Sequence, residues 1–144
     1  MEVIQLHYDV NANDFTCAGE ASGKLKRELK RLGFESDVVR RTAIAVYEAE
    51  INMVIHADGG AIDASISPEC ITVVLKDRGP GIPDVSLAMR EGYSTAPENV
   101  RNLGFGAGMG LPNIKKYSDK VDIDTVIGEG TTITLRINTA PAEN

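Results

Sequence analysis

Apolar and polar residues follow two periods along this chain, the alternation typical of strands and the longer repeat typical of helices. The alternation predicts five strands, at residues 3–10, 61–67, 71–76, 121–126 and 131–137. The helical repeat predicts four helices, at residues 18–32, 36–56, 84–91 and 109–118. Residues 92–105 show neither period and are predicted to form a loop. This order predicts an α/β fold of the α+β two-layer type, with a mixed, mostly antiparallel sheet and helices on one face.

The predicted helix at residues 36–56 has a polar stripe within a stretch that is otherwise apolar on nearly every side. Glu48, Asn52 and His56 recur at every fourth residue, so they lie within an arc of about 80°. A buried carboxylate or amide needs a partner. One candidate is a Mg²⁺–triphosphate, because Asn52 offers an oxygen ligand and Glu48 can take the proton of an attacking hydroxyl. The other interpretation is a structural stripe that hydrogen-bonds to a neighbouring loop.

Glu50 lies on the opposite face of the same predicted helix, among apolar residues. Two interpretations are open for its carboxylate. In one, it pairs with a basic side chain of the first helix, and in the other it lies at a protein interface. The basic residues of the first helix are predicted to form an exposed face and are Lys24, Lys26, Arg27, Lys30 and Arg31. The sequence does not decide between these partners.

A second polar feature is Asp77, which directly follows an apolar strand. A carboxylate in this position can accept a hydrogen bond from an exocyclic amine. Gly79 and Gly81 follow it and allow the backbone to turn and to approach a flat ring closely, with Ile82 against one side of the ring. The same residues are also typical of an ordinary turn, which is the competing interpretation.

A run of alternating glycines precedes the helix predicted at residues 109–118. Backbone N–H groups in such a run can form an anion-binding nest, and the start of the helix adds its positive dipole end. The run lacks the spacing of a P-loop and the βαβ setting of a dinucleotide fingerprint. The candidate phosphate-binding residues are Arg101, Gly104, Gly106, Gly108, Met109, Gly110 and Leu111. Arg101 is the cation expected to contact the terminal phosphate.

Composition limits the classes of partner. The chain has 144 residues, enough for one domain with a core, and 42% of them are hydrophobic. Its net charge of −6 argues against nucleic acid or an anionic membrane as a general partner. No run approaches the roughly 20 apolar residues of a membrane span, and the N-terminus does not resemble a signal peptide. A cytoplasmic location is therefore expected.

Taken in order, the motifs Glu48-Ala-Glu-Ile-Asn52, Asp77-Arg-Gly-Pro-Gly-Ile82 and Gly104-Phe-Gly-Ala-Gly-Met-Gly-Leu111 resemble those of the Bergerat (GHKL, HATPase_c) ATP-binding fold. Within it, the chain looks most like the bacterial anti-sigma-factor serine/threonine kinases of partner-switching systems, from about Leu25 to Ile137. The resemblance implies that Asp77 reads the adenine amine and that Thr131 reaches the adenine pocket. It also implies that Asn52 holds Mg²⁺, that Glu48 is the base and that His56 lies near the phosphates.

The resemblance further implies a function: a Mg²⁺–ATP-binding anti-sigma regulatory factor that phosphorylates a serine or threonine of a STAS-domain (anti-anti-sigma) partner. A non-catalytic, ATP-dependent protein-binding switch is the second hypothesis. The expected partners are the STAS protein, a sigma factor, or both, without direct contact to nucleic acid or membrane. Members of these families are often dimers, so a homodimer is a further expectation, with the first strand and first helix as candidate contacts.

Overall fold

The computed structural model describes residues 3–11, 18–56, 59–79 and 110–139. The strands are β1 (Ile4–Val10), β2 (Gly60–Ile66), β3 (Cys70–Asp77), β4 (Lys120–Val126) and β5 (Gly130–Asn138). The described helices are α1 (Glu20–Arg31), α2 (Ser36–His56) and α3 (Gly110–Tyr117). The strands form one sheet in the order β1-β2-β3-β5-β4, and all pairings among them are antiparallel. The predicted two-layer fold is confirmed, while the helix predicted at 84–91 and the loop at 92–105 lie outside the described residues.

The hydrophobic core lies between the sheet and the helices. On β2, β3 and β5 every second residue faces the helices and is buried: Ile62, Ala64, Ile66, Ile71, Val73, Leu75, Ile133, Leu135 and Ile137. From the helical layer, α2 adds Val46, Ala49, Met53 and Val54 to the same cluster. Burial of α2 on several sides, as its sequence predicts, is therefore confirmed for its described side chains.

α2 is the longest helix of the described part of the chain, at 21 residues. It carries charged residues at its beginning and in its middle, among them Arg40, Arg41 and Glu48. None of the helices within the described ranges combines the length and the apolar character that crossing a membrane requires.

The glycine predicted to stop α1, Gly33, lies two residues after the last residue of the helix, Arg31. Gly33 has a φ of 88°, in the left-handed region that favours glycine. Its N–H donates to the Lys30 carbonyl at 3.1 Å, and the Phe34 N–H donates to the Leu29 carbonyl at 3.3 Å. These two bonds form a Schellman motif, which satisfies the last carbonyls of the helix. The basic residues of α1 are exposed, as predicted.

Glu50 connects α2 to the beginning of α1. Its side chain is 2% exposed, and its carboxylate accepts hydrogen bonds from three backbone N–H groups. Oε2 accepts from Gly19 at 3.1 Å and Ala21 at 3.2 Å, while Oε1 accepts from Ser22 at 2.9 Å. The first N–H groups of a helix have no partner within it and carry partial positive charge. Glu50 thus pairs with the helix backbone, and both sequence interpretations, a basic side chain and a protein interface, were wrong.

We expect Glu50→Ala to lower the free energy of unfolding by about 3–5 kcal/mol, because it leaves buried N–H groups at the start of α1 without an acceptor. Urea denaturation checks this value. Glu69→Ala is the matched control, because Glu69 is exposed in the turn between β2 and β3, and surface substitutions usually change stability by less than about 0.5 kcal/mol. Equal unfolding midpoints for the two variants would contradict the capping role.

Candidate functional site

β3 ends at Asp77, between the first residues of two neighbouring strands. On one side, Gly60 of β2 is the ladder partner of Asp77. On the other side β5 begins at Gly130, and the Thr131 N–H donates to Asp77 Oδ1 at 2.9 Å. The carboxyl group of Asp77 therefore has a fixed place at one end of the middle strand of the sheet.

Two glycines allow the neighbouring backbones to close around Asp77. A Cβ at Gly60 would overlap the Lys76 carbonyl oxygen and lie 2.7 Å from Met53 Cε. A Cβ at Gly130 would overlap the Asp77 carbonyl oxygen and lie 3.2 Å from Asp77 Oδ1. Gly130 also has a φ of 144°, which residues with a side chain rarely adopt. Both positions therefore require glycine for the strand ends to hold Asp77 as they do.

The Asp77 carboxyl group is half-buried, and its two oxygens differ in their partners. Burial raises the pKa of Asp77 above its ordinary value, and the hydrogen bond from the Thr131 N–H lowers the pKa by a smaller amount. Oδ1 accepts that bond, and the described residues supply no hydrogen bond to Oδ2. A fixed acceptor of this kind is suited to an amino group, so these residues fit the base of ATP.

Thr131 links Asp77 to the outer strand β4. Its side chain is 5% exposed, and its Oγ1 lies 3.0 Å from Thr125 Oγ1. The backbone N–H of Thr131 is hydrogen-bonded to the side chain of Asp77, which is 54 residues earlier in the chain. The structure therefore brings together the two residues that the resemblance assigns to the adenine pocket.

We expect Gly130→Ala to weaken ATP binding by at least about tenfold, because a Cβ there displaces Asp77 and strains the backbone. Gly128→Ala is the matched control: Gly128 has a φ of 84°, and a Cβ there would meet nothing within 4 Å. The control should lose stability but retain ATP affinity, measured by calorimetry beside thermal unfolding. Equal ATP affinities for the two variants would contradict a role of Gly130 in holding Asp77.

The second part of the site lies where α3 packs against α2. Glu48 and Asn52 are one helical turn apart on α2, and both are half-buried. Asn113 of α3 donates from Nδ2 to Glu48 Oε1 at 3.3 Å. Burial raises the pKa of Glu48, and the Asn113 hydrogen bond lowers it by a smaller amount. Because α3 begins at Gly110, this hydrogen bond places Glu48 beside the first turn of the helix that follows the predicted phosphate glycines.

Asn52 is the side chain on α2 that could hold a metal ion, provided that the ion takes most of its ligands from a phosphate chain and water. Within the ranges that the structure describes, no group of three or more His, Cys, Asp or Glu side chains is placed to hold a metal. Mg²⁺ often binds proteins through only one or two oxygen ligands, with phosphate oxygens and water completing the octahedron. The half-buried carboxamide of Asn52 can supply one such oxygen.

The remaining predicted site residues have different outcomes. Gly79 is described, just beyond β3, and Gly110 and Leu111 begin α3. Leu111 is 7% exposed, and its side chain belongs to the hydrophobic core. Its prediction as a binding residue rests on the backbone N–H groups at the start of the helix and stays a prediction. His56 ends α2, and its side chain lies outside the described part. The predicted residues beyond the described ranges are Gly81, Ile82, Arg101, Gly104, Gly106, Gly108 and Met109.

Sequence reasoning gave no role to Asn113 or Thr125, whose side chains contact Glu48 and Thr131. Asn113 lies between Leu111 and Ile114, both of which are buried, so a polar residue beside this apolar face was a usable signal. Thr125 had no such signal, because threonine is an ordinary residue in strands. Its place depends on the β4–β5 register, in which Thr125 is the partner of Thr131.

The sequence is similar to those of known ATPase-domain and kinase proteins. A family profile described as "Histidine kinase-like ATPase domain" matches residues 13–137. The serine/threonine-protein kinase RsbT of Bacillus subtilis (strain 168) is 33% identical over 108 residues, which are 72% of this chain and 75% of that protein. The anti-sigma F factor of Clostridium beijerinckii is 29% identical over 106 residues, 69% of this chain and 71% of that protein.

Two solved structures are similar in fold. The RsbU and RsbW domains of Rv1364c from Mycobacterium tuberculosis match with a TM-score of 0.65 and 18% identity, over 96% of this chain and 34% of that one. This chain thus spans about a third of that protein's chain. The mycobacterial sensor histidine kinase MprB matches with a TM-score of 0.53 and 20% identity, over 96% of this chain and 100% of that one. At these identities the likeness concerns the fold.

Proposed function

Because this chain belongs to the histidine kinase-like ATPase domain family, we propose that it is a Mg²⁺–ATP-dependent anti-sigma factor that phosphorylates a serine or threonine of a STAS-domain partner. Its family and relatives make it an ATP-binding protein kinase of the anti-sigma type. The proposal adds the metal ion, the class of the acceptor protein and the roles of individual residues. A sigma factor is the second proposed partner, and a cytoplasmic location, a single domain and a homodimer stay predictions.

The observation that best supports the proposal is the hydrogen bond between the Thr131 N–H and Asp77 Oδ1. It holds a half-buried carboxylate at the end of β3 with its second oxygen available for an amino group. Adenine carries an exocyclic amine where guanine carries a carbonyl oxygen. An acceptor at this place therefore favours ATP over GTP, because a carbonyl oxygen cannot donate a hydrogen bond to it.

At the other end of the site, Glu48 is the proposed general base. Its pKa is raised by burial, which makes it a better proton acceptor than an exposed glutamate while it is ionised. In the proposed transfer the acceptor hydroxyl loses its proton to Glu48, and its oxygen bonds to the γ-phosphorus. The bond from that phosphorus to the bridging oxygen of ADP breaks in the same step, so charge and atoms balance.

Asn52 is the proposed ligand of the metal ion, one turn from Glu48 on α2. A Mg²⁺ ion bound there would neutralise phosphate charge. The amide of Asn52 is neutral, so as a ligand it adds no charge to the site. This separation of roles assigns metal binding to Asn52 and proton transfer to Glu48.

The experiment that tests the proposal uses the full chain with γ-labelled ATP and STAS-domain proteins encoded beside it. We expect phosphate on one serine or threonine of a partner, located by mass spectrometry, and no transfer when EDTA removes divalent metal. The same partner with that serine or threonine replaced by alanine is the control. Tight ATP binding without phosphorylation of any co-encoded STAS protein would overturn the kinase assignment in favour of the ATP-dependent binding switch.

A further inference from the structure

The side chains of Glu48 and Asn113 meet across the contact between α2 and α3. They are 65 residues apart in the chain, both are half-buried, and the Asn113 Nδ2 to Glu48 Oε1 distance is 3.3 Å. A carboxylate accepts hydrogen bonds and an amide NH₂ group donates them, so the direction of this bond is fixed when Glu48 is ionised. The bond occupies Oε1 and leaves Oε2 of Glu48 to receive a proton.

We propose that Asn113 is a positioning residue, which holds the Glu48 carboxylate by this hydrogen bond and favours its ionised form. The inference rests on the proposed role of Glu48 as the base. A glutamate side chain has three rotatable bonds, and ordering it costs conformational entropy. A donor on a packed neighbouring helix fixes the carboxylate before the acceptor hydroxyl arrives, which is how positioned groups assist proton transfer.

Few other described groups act on the charge of Glu48. Burial raises its pKa, and the Asn113 amide lowers it. Tyr47, the adjacent residue, has a hydroxyl pKa that burial and the charges of Glu48 and Glu50 raise, so it stays neutral near Glu48. The charged residues of α3, Lys115 and Lys116, are exposed. Asn113 is therefore the group in the described site that works against the effect of burial.

This assignment predicts the sign of the change when the donor is removed. Without the hydrogen bond, burial acts alone and the pKa of Glu48 rises further. The base is then protonated over a wider range of pH, and phosphotransfer falls most at low pH. A purely structural role for Asn113 would instead lower activity by the same factor at every pH.

The test variant is Asn113→Leu, which keeps the size of the side chain and removes the donor; Asn113→Ala replaces it if the leucine variant does not fold. The matched control is Asn138→Leu, because Asn138 is exposed at the end of β5. We expect the midpoint of the pH–rate profile of phosphotransfer to rise by roughly one unit in the Asn113 variant. ATP affinity should change by less than about twofold in both variants, since neither residue is assigned to ATP.

A second measurement does not depend on catalysis: the titration of the Glu48 carboxyl carbon by NMR in the full chain. A higher pKa of Glu48 in the Asn113 variant than in the wild type and the control supports the inference. An equal pKa in all three proteins overturns it. Loss of the proposed function has a different signature, in which the wild type transfers no phosphate while the NMR titration still decides the role of Asn113.

Discussion

Asp77→Asn should weaken ATP binding by roughly 10- to 100-fold, the effect of about 1–3 kcal/mol expected for one mismatched hydrogen bond. The structure explains why this substitution is specific. Asparagine can keep its Oδ1 as the acceptor for the Thr131 N–H, now at 2.9 Å, so the strand end need not rearrange. Only the other oxygen, Oδ2, is changed: an acceptor is replaced by an NH₂ donor that would face the donor amine of adenine.

The measurement is calorimetric affinity for ATP and GTP, with Asp122→Asn as the control because Asp122 is exposed on β4. The wild type should prefer ATP, and Asp77→Asn should lose most of that preference. Equal affinities of the wild type for the two nucleotides would contradict the role of Asp77. Burial raises the pKa of Asp77, so its carboxylate takes up a proton at a higher pH than an ordinary aspartate does. As the pH is lowered, ATP affinity should therefore begin to fall while the pH is still above the ordinary pKa of aspartate.

The parts of this site that the sequence predicts are those carried by local spacing. Glu48 and Asn52 recur at helical spacing, so their shared face on α2 follows from the helix alone. Asp77 follows an alternating strand, which places it at the strand end. In both cases the chemistry of the side chain and its neighbours in the chain contain the needed information.

The parts that the sequence does not predict depend on contacts between distant segments. Glu50 shows this most clearly, because its partners are backbone N–H groups of Gly19, Ala21 and Ser22, about which side-chain identities say nothing. A search among side chains leads to the basic residues of α1, which are exposed instead. Asn113 is similar, since only the packing of α3 on α2 brings it to Glu48.

The two glutamates of α2 show how burial and partners separate function from structure. Both lie in the same helix two residues apart, so they face different directions. Both oxygens of Glu50 accept hydrogen bonds from N–H groups at the start of α1, and the residue is 2% exposed. Glu48 has one weakly donated bond at 3.3 Å, and the described residues leave its other oxygen without a donor. Of these two carboxylates, the environment of Glu48 therefore fits the proposed base and that of Glu50 does not.

We expect Glu48→Gln to lower phosphotransfer by roughly 10²- to 10⁴-fold, the usual contribution of a positioned general base. ATP affinity should stay nearly unchanged, because Glu48 is assigned neither to the base of the nucleotide nor to the metal. Glutamine keeps the size of the side chain and can still accept the Asn113 hydrogen bond through its carbonyl oxygen, so α2 and α3 should pack as before. The measurements are phosphate incorporation into the STAS partner and calorimetric ATP affinity for each variant.

Two further variants separate the base from the metal ligand and from general effects of substitution. Asn52→Ala should lose both metal-dependent ATP binding and phosphotransfer, since it removes the proposed Mg²⁺ ligand. Glu129→Gln, at an exposed turn position, should match the wild type in both measurements. Phosphotransfer by Glu48→Gln at the wild-type rate would show that the base assignment is wrong. Glu50 could not then take its place, because its carboxylate holds the start of α1, and the acceptor hydroxyl would have to lose its proton to a phosphate oxygen or to water.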